Sequence, residues 1–127
     1  MLNQMTPSAL VVDDNFFNRD VCLLALKHVG YEVAEAENGL EAVNLLQGRQ
    51  FDLLVLDLAM PEMDGIEVLR IISSETRFRD LCVMVMTANS HMAVHEEIER
   101  ADYVIYKPID IVDFGRLLER LKQSRSA

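Results

Sequence analysis

Phe51–Leu58, FDLLVLDL, is an almost unbroken apolar run carrying one acid near its end, Asp57. Leu81–Thr87, LCVMVMT, is a second run of the same kind. Continuous apolar strands imply burial on both faces, which is the mark of a parallel sheet covered by helices. An apolar strand rarely tolerates an unpaired carboxylate, so Asp57 calls for a partner.

The pattern repeats on either side. Ala9–Val12 is a short run rich in β-formers, Glu32–Glu37 roughly alternates polar with apolar residues, and Tyr103–Tyr106 completes the set of strands. Helical periodicity fills the gaps. Asn18–Val29 sets Val21, Leu24, Ala25 and Val29 on one stripe, with Gly30 as a natural stop. Leu40–Leu46 repeats Leu40, Val43 and Leu46 before Gly48, and Asp64–Glu75 carries Val68, Leu69 and Ile72 on one face. His91–Arg100 is short, polar and weakly patterned, whereas Asp110–Lys122 places Ile111, Phe114, Leu117, Leu118 and Leu121 on one side. Strand followed by helix, five times over, predicts an open, doubly wound α/β sheet with the common strand order 2-1-3-4-5. Ligands in such sheets bind at the carboxyl ends of the strands, beside the reversal of strand order between strands 1 and 3.

Composition narrows the possible functions. The chain has 127 residues, half of them hydrophobic, which suits one domain over 1–127 with a core at about 8–123. A net charge of -9 disfavours direct nucleic-acid binding and adsorption to an anionic membrane. No apolar run approaches the roughly 20 residues that span a bilayer. The opening MLNQMTPSALVVDD has neither a basic segment nor a cleavable apolar one, so a cytoplasmic location is expected. Cys22 and Cys82 lie in separate apolar segments and read as reduced, buried small residues.

The carboxyl edge carries the chemistry. Strand 1 ends in Asp13-Asp14 and strand 3 in Asp57, the two strands flanking the reversal. Three carboxylates in one crevice repel one another unless a cation neutralises them, and a hard divalent ion, Mg²⁺ or Mn²⁺, suits oxygen ligands. Strand 4 ends in Thr87 and strand 5 in Lys107-Pro108, so a hydroxyl and an ammonium face the same crevice. Each has an ordinary reading alone: Asp13 or Asp14 as a helix cap, Thr87 as a strand residue, Lys107 as a solvated loop residue. Together they form a phosphate-recognition set around Asp57, whose carboxylate serves as a nucleophile without deprotonation at neutral pH.

ALVVDDN, LLVLDLAMPEMDG, VMVMTAN and YKPID, in this order, resemble the receiver domain of two-component response regulators over about Ser8 to Gln123. The resemblance implies a flavodoxin-like (CheY-like) fold and a phosphorelay role. Asp57 matches the phosphoacceptor, Asp14 the direct metal ligand, Asp13 its helper, and the Ala59 carbonyl the backbone ligand. Thr87 and Lys107 match the hydroxyl and lysine that read the phosphoryl group. Pro61 and Gly65 match the turn after the acceptor, and Pro108 the site of a cis Lys–Pro bond. The donor would be a histidine kinase or phosphotransfer protein, and the output a changed contact with a downstream protein. Weak dimerisation would use the fourth helix, fifth strand and fifth helix, where Arg100, Asp102 and Asp113 offer salt-bridge partners but read more simply as solvated charges. Such a domain is not an enzyme with a separate substrate.

Val104 departs from the family, which has an aromatic three residues before the lysine; Tyr103 and Tyr106 lie nearby. Ala59 and Asn89 occupy positions that tune phosphoryl lifetime. Three alternatives remain at this level. VVDDNFFNRD suits a receiver taken from a larger hybrid kinase or regulator. A Mg²⁺-dependent phosphatase needs a second acid where Ala59 stands. A phosphorylation-independent binding module would lack members of the acid, Thr and Lys set, and none is missing here.

Overall fold

The computed structural model describes residues 6–60, 64–88 and 96–126. Five parallel strands form one sheet: β1 (Ser8–Val12), β2 (Glu32–Ala36), β3 (Leu53–Asp57), β4 (Cys82–Thr87) and β5 (Tyr103–Tyr106). Their order is β2-β1-β3-β4-β5, as the alternation of elements predicts. The apolar runs become the central strands, and every residue of β3 is buried.

Four α-helices lie among the described residues: α1 (Phe16–Val29), α2 (Gly39–Gly48), α3 (Gly65–Ser74) and α4 (Ile111–Ser126). Asn15, Asn38 and Asp64 cap the first three, each side chain accepting a backbone N–H three residues on. Gly30 ends α1 at φ +109°, a left-handed conformation that few other residues adopt, and its N–H bonds the carbonyls of Leu26 and Lys27.

The two faces of the sheet make two cores. Leu10, Val12, Leu54, Leu56, Val83 and Val85 pack with α2 and α3. Ala9, Val11, Leu53, Val55, Met84 and Met86 pack with α1 and α4. Cys22 and Cys82 are free thiols, and burial pushes them up to about 12 and about 11.

Several expectations change, among them the inner position given to Ile111, which is exposed. In α1 the buried stripe is Arg19, Cys22, Leu23, Leu26 and Val29, whereas Val21 and Leu24 are exposed. Apolar residues run nearly all round this helix, so periodicity could not choose its face. Leu40 is likewise exposed while Ala42 takes the inner position of α2. The first half of the expected helix His91–Arg100 lies outside the described residues, and its described half, Glu96–Arg100, is a 3-10 turn. In that stretch Ile98 alone packs on the core, too little to anchor an α-helical face.

Arg100 is not a solvated charge. Its guanidinium donates to the carbonyls of Phe78 (2.7 Å) and Leu81 (2.9 Å) and pairs with Asp102, whose carboxylate accepts the Val83 N–H. Both residues serve the entry to β4, and Asp113 is exposed.

Candidate functional site

The carboxyl ends of β1, β3, β4 and β5 meet at one crevice. Asp13 follows β1, where its N–H donates to the Ala36 carbonyl (3.2 Å) and its Oδ1 accepts the Asn15 N–H (2.9 Å). Because Asn15 caps α1, neither Asp13 nor Asp14 is spent as the cap. Asp57 ends β3, and its Oδ1 accepts the Ala59 N–H at 3.3 Å. Thr87 ends β4 fully buried, and its carbonyl accepts the Lys107 N–H at 3.0 Å. The Lys107–Pro108 bond is cis.

Asp13, Asp14 and Asp57 each offer a carboxylate oxygen within 4.8 Å of the others. Asp13 and Asp57 are buried and Asp14 is exposed. The Nζ of Lys107 lies 3.1 Å from Asp13 Oδ2 and 3.5 Å from Asp57 Oδ2. Burial pushes the Asp57 carboxyl up from its ordinary 3.8 to about 6, and the charge of Asp13 adds to this. Lys107 and the Ala59 N–H pull it back down. Burial pulls Lys107 down, but its hydrogen bond to Asp13 and the charge of Asp57 prevail, so it stands above its ordinary 10.5.

One ammonium against three acids leaves a formal excess of negative charge in the crevice. Hard oxygen donors, convergent and under-neutralised, fit a small divalent ion such as Mg²⁺ or Mn²⁺.

Other expected residues fall into place around this centre. Gly65 packs directly behind Asp57: a Cβ there would stand 2.5 Å from the Asp57 carbonyl oxygen and 2.6 Å from Leu58 Cα. The turn glycine is therefore a close-approach glycine, and its N–H bonds the Leu58 carbonyl at 2.9 Å. Ala59 is exposed beside the acceptor, while Pro61 and Asn89 lie outside the described residues. Val104 is half-buried and pairs in register with Val85, and Tyr106 pairs with Thr87. In a parallel ladder partners share a face, so Tyr106 is the strand aromatic beside Thr87, at 54% exposure.

Arg19 was not foreseen. It is buried, with Nη1 donating to the Asp13 carbonyl at 2.8 Å and Nε to Glu35 Oε1 at 2.7 Å. Between Asn18 and Asp20 the arginine reads as a solvated charge, and nothing local to it in the sequence marks it as buried.

The model of the response regulator receiver domain matches residues 9–122. The polar-differentiation response regulator DivK of Brucella ovis is 30% identical over 120 residues, covering 93% of this chain and 95% of that protein. The response regulator TrrA of Thermotoga maritima, solved in complex with Mg²⁺-BeF, is 30% identical at a TM-score of 0.81, covering 91% of this chain and 98% of that one. The chemotaxis regulator CheY4 of Vibrio cholerae is 25% identical at a TM-score of 0.82, covering 92% of this chain and 99% of that one. Among the described residues no helix is long and apolar enough to cross a membrane. Motifs, sheet order, family model and relatives agree, and the chain belongs to the response regulator receiver domain family of two-component signalling.

Proposed function

We propose that Asp57 accepts a phosphoryl group from a histidine kinase or phosphotransfer protein, and that the new anion switches contacts with a downstream protein. The observation that carries this reading is Lys107, a single ammonium spanning Asp13 and Asp57 with a third carboxylate beside them. An Asp57 oxygen attacks phosphorus as the phosphorus–nitrogen bond of the donor histidine breaks. At neutral pH Asp57 is mostly ionised despite its raised pKa, so no base is needed.

Asp13, Asp14, Asp57 and the Ala59 carbonyl would hold Mg²⁺ or Mn²⁺, which when bound screens the acids from the incoming phosphoryl oxygens. Lys107 then exchanges its carboxylate partners for a phosphoryl oxygen, and Thr87 donates its hydroxyl to another. Thr87 and Lys107 are already joined through the β4–β5 backbone bond, so movement at the site reaches β5 directly. Asp57 is itself the acceptor, so the domain has no separate substrate. Ala59 supplies no second acid, which sets the phosphatase reading aside.

Binding of a beryllofluoride mimic tests the reading. With Mg²⁺ and BeF, the ¹⁹F spectrum of the wild type gains protein-bound resonances that Asp57→Asn lacks. Bound resonances that persist in Asp57→Asn, or none in the wild type, contradict it.

A further inference from the structure

Arg19 is an unusual residue to find in the core of a helix–sheet interface. Its side chain is 9% exposed, against 52% for its ion-pair partner Glu35. Burying a guanidinium is unfavourable unless its N–H groups find good acceptors. Here Nε meets Glu35 at 2.7 Å and Nη1 meets the Asp13 carbonyl at 2.8 Å, a bond between two buried groups. The Phe16 ring centroid lies 5.7 Å from the guanidinium carbon, within cation–π range.

Asp13 is thereby held at four atoms. Its N–H bonds Ala36, its carbonyl accepts from Arg19, its Oδ1 accepts from Asn15 and its Oδ2 meets Lys107. Lys107 is shared with Asp57 and so is not committed to Asp13. Among the described residues, Arg19 alone bonds Asp13 through a charged group without occupying a carboxylate oxygen. It is anchored in turn on β2, through Glu35, and carried by α1, so two elements fix one peptide.

We propose that Arg19 is a positioning residue for the divalent ion: braced by Glu35, it fixes the Asp13 backbone so that the Asp13 carboxylate is preset for metal. The inference rests on the metal reading above. It makes a prediction opposite in sign to simple electrostatics. Removing a positive charge close to a cation site strengthens cation binding by Coulomb's law. Removing a brace weakens it, and supporting bonds around metal ligands are worth about 10-fold or more in affinity.

The test is calorimetric titration of MgCl₂ into the full chain at fixed ionic strength, for wild type, Arg19→Met and Arg19→Lys, with thermal unfolding in the same buffers. Arg19→Met should weaken Mg²⁺ binding by about tenfold. Arg19→Lys keeps the charge but cannot fork to both acceptors, so its affinity should fall between the other two. An Arg19→Met protein that binds Mg²⁺ as tightly as wild type, or more tightly, overturns the proposal. If Arg19→Met does not fold, Arg19→Lys decides alone, and unchanged affinity overturns the proposal because the charge was conserved. Failure of the wild type to bind Mg²⁺ overturns the metal reading along with this one, whereas wild-type binding unaffected by either variant overturns this one only.

Discussion

Lys107 Nζ stands 3.5 Å from Asp57 Oδ2 while it also contacts Asp13, so Asp57 has only a share of the Lys107 ammonium. That partial neutralisation, set against burial, explains why the carboxyl stands at about 6 rather than 3.8.

Removing the ammonium should raise Asp57 further. Lysine's charge lowers the Asp57 pKa, so in Lys107→Met without metal the carboxyl should titrate above 6. Carbon-13 NMR of aspartate-labelled protein reads this directly. A midpoint at or below that of wild type contradicts the assignment of Lys107 as its counter-cation.

A carboxyl raised on folding destabilises the folded state at neutral pH. Below pH 3.8 both states hold the proton and the effect vanishes, whereas above about 6 folding keeps a buried charge that water would solvate better. Stability should therefore fall as pH rises through the window between these values. Without metal, Asp57→Asn should be more stable than wild type at pH 7, by roughly 2–3 kcal/mol, or on the order of 10 °C in Tm. The gain should disappear near pH 4, which thermal unfolding at several pH values checks.

Divalent ion should reverse that penalty. Saturating Mg²⁺ should stabilise the folded wild type through mass action, by about 2.7 kcal/mol at a hundred times Kd, and so raise its Tm. Asp13→Asn should lose most of the increase, because it removes a buried oxygen charge from the trio. Equal Mg²⁺-dependent shifts in the two proteins would exclude Asp13 from the ion's ligands.

Gly65 and Gly115 make a matched pair. A Cβ on Gly65 would press on backbone atoms of Asp57 and Leu58, which cannot swing aside as a side chain can. Gly65→Ala should cost about 1–3 kcal/mol and slow phosphorylation, since relief of the clash must move the acceptor. Gly115 in α4 has open space, so Gly115→Ala should be neutral or stabilising by up to about 1 kcal/mol. Urea unfolding of both variants checks the contrast.

Much of this was legible in the sequence because chemistry and topology coincide. FDLLVLDL and LCVMVMT could only be covered strands, and each strand that ends in Asp13, Asp57, Thr87 or Lys107 delivers its side chain to the same edge. Three features were hidden for physical reasons. The α1 stretch FFNRDVCLLALKHV is apolar on most sides, so its inner stripe was decided by packing, and Arg19 went in with Cys22 and Leu26. Gly65 reads as a turn residue until the backbone of Leu58 is seen against it. The Glu96–Arg100 segment carries three glutamates in five residues, a composition that leaves helix type to tertiary contacts.

Intact-mass measurement after incubation with Mg²⁺ and acetyl phosphate tests the role of Asp57 most directly. Wild type should gain the mass of a single phosphoryl group, and Asp57→Asn should gain none. Equal gain in both proteins, or no gain in the wild type, would contradict the account.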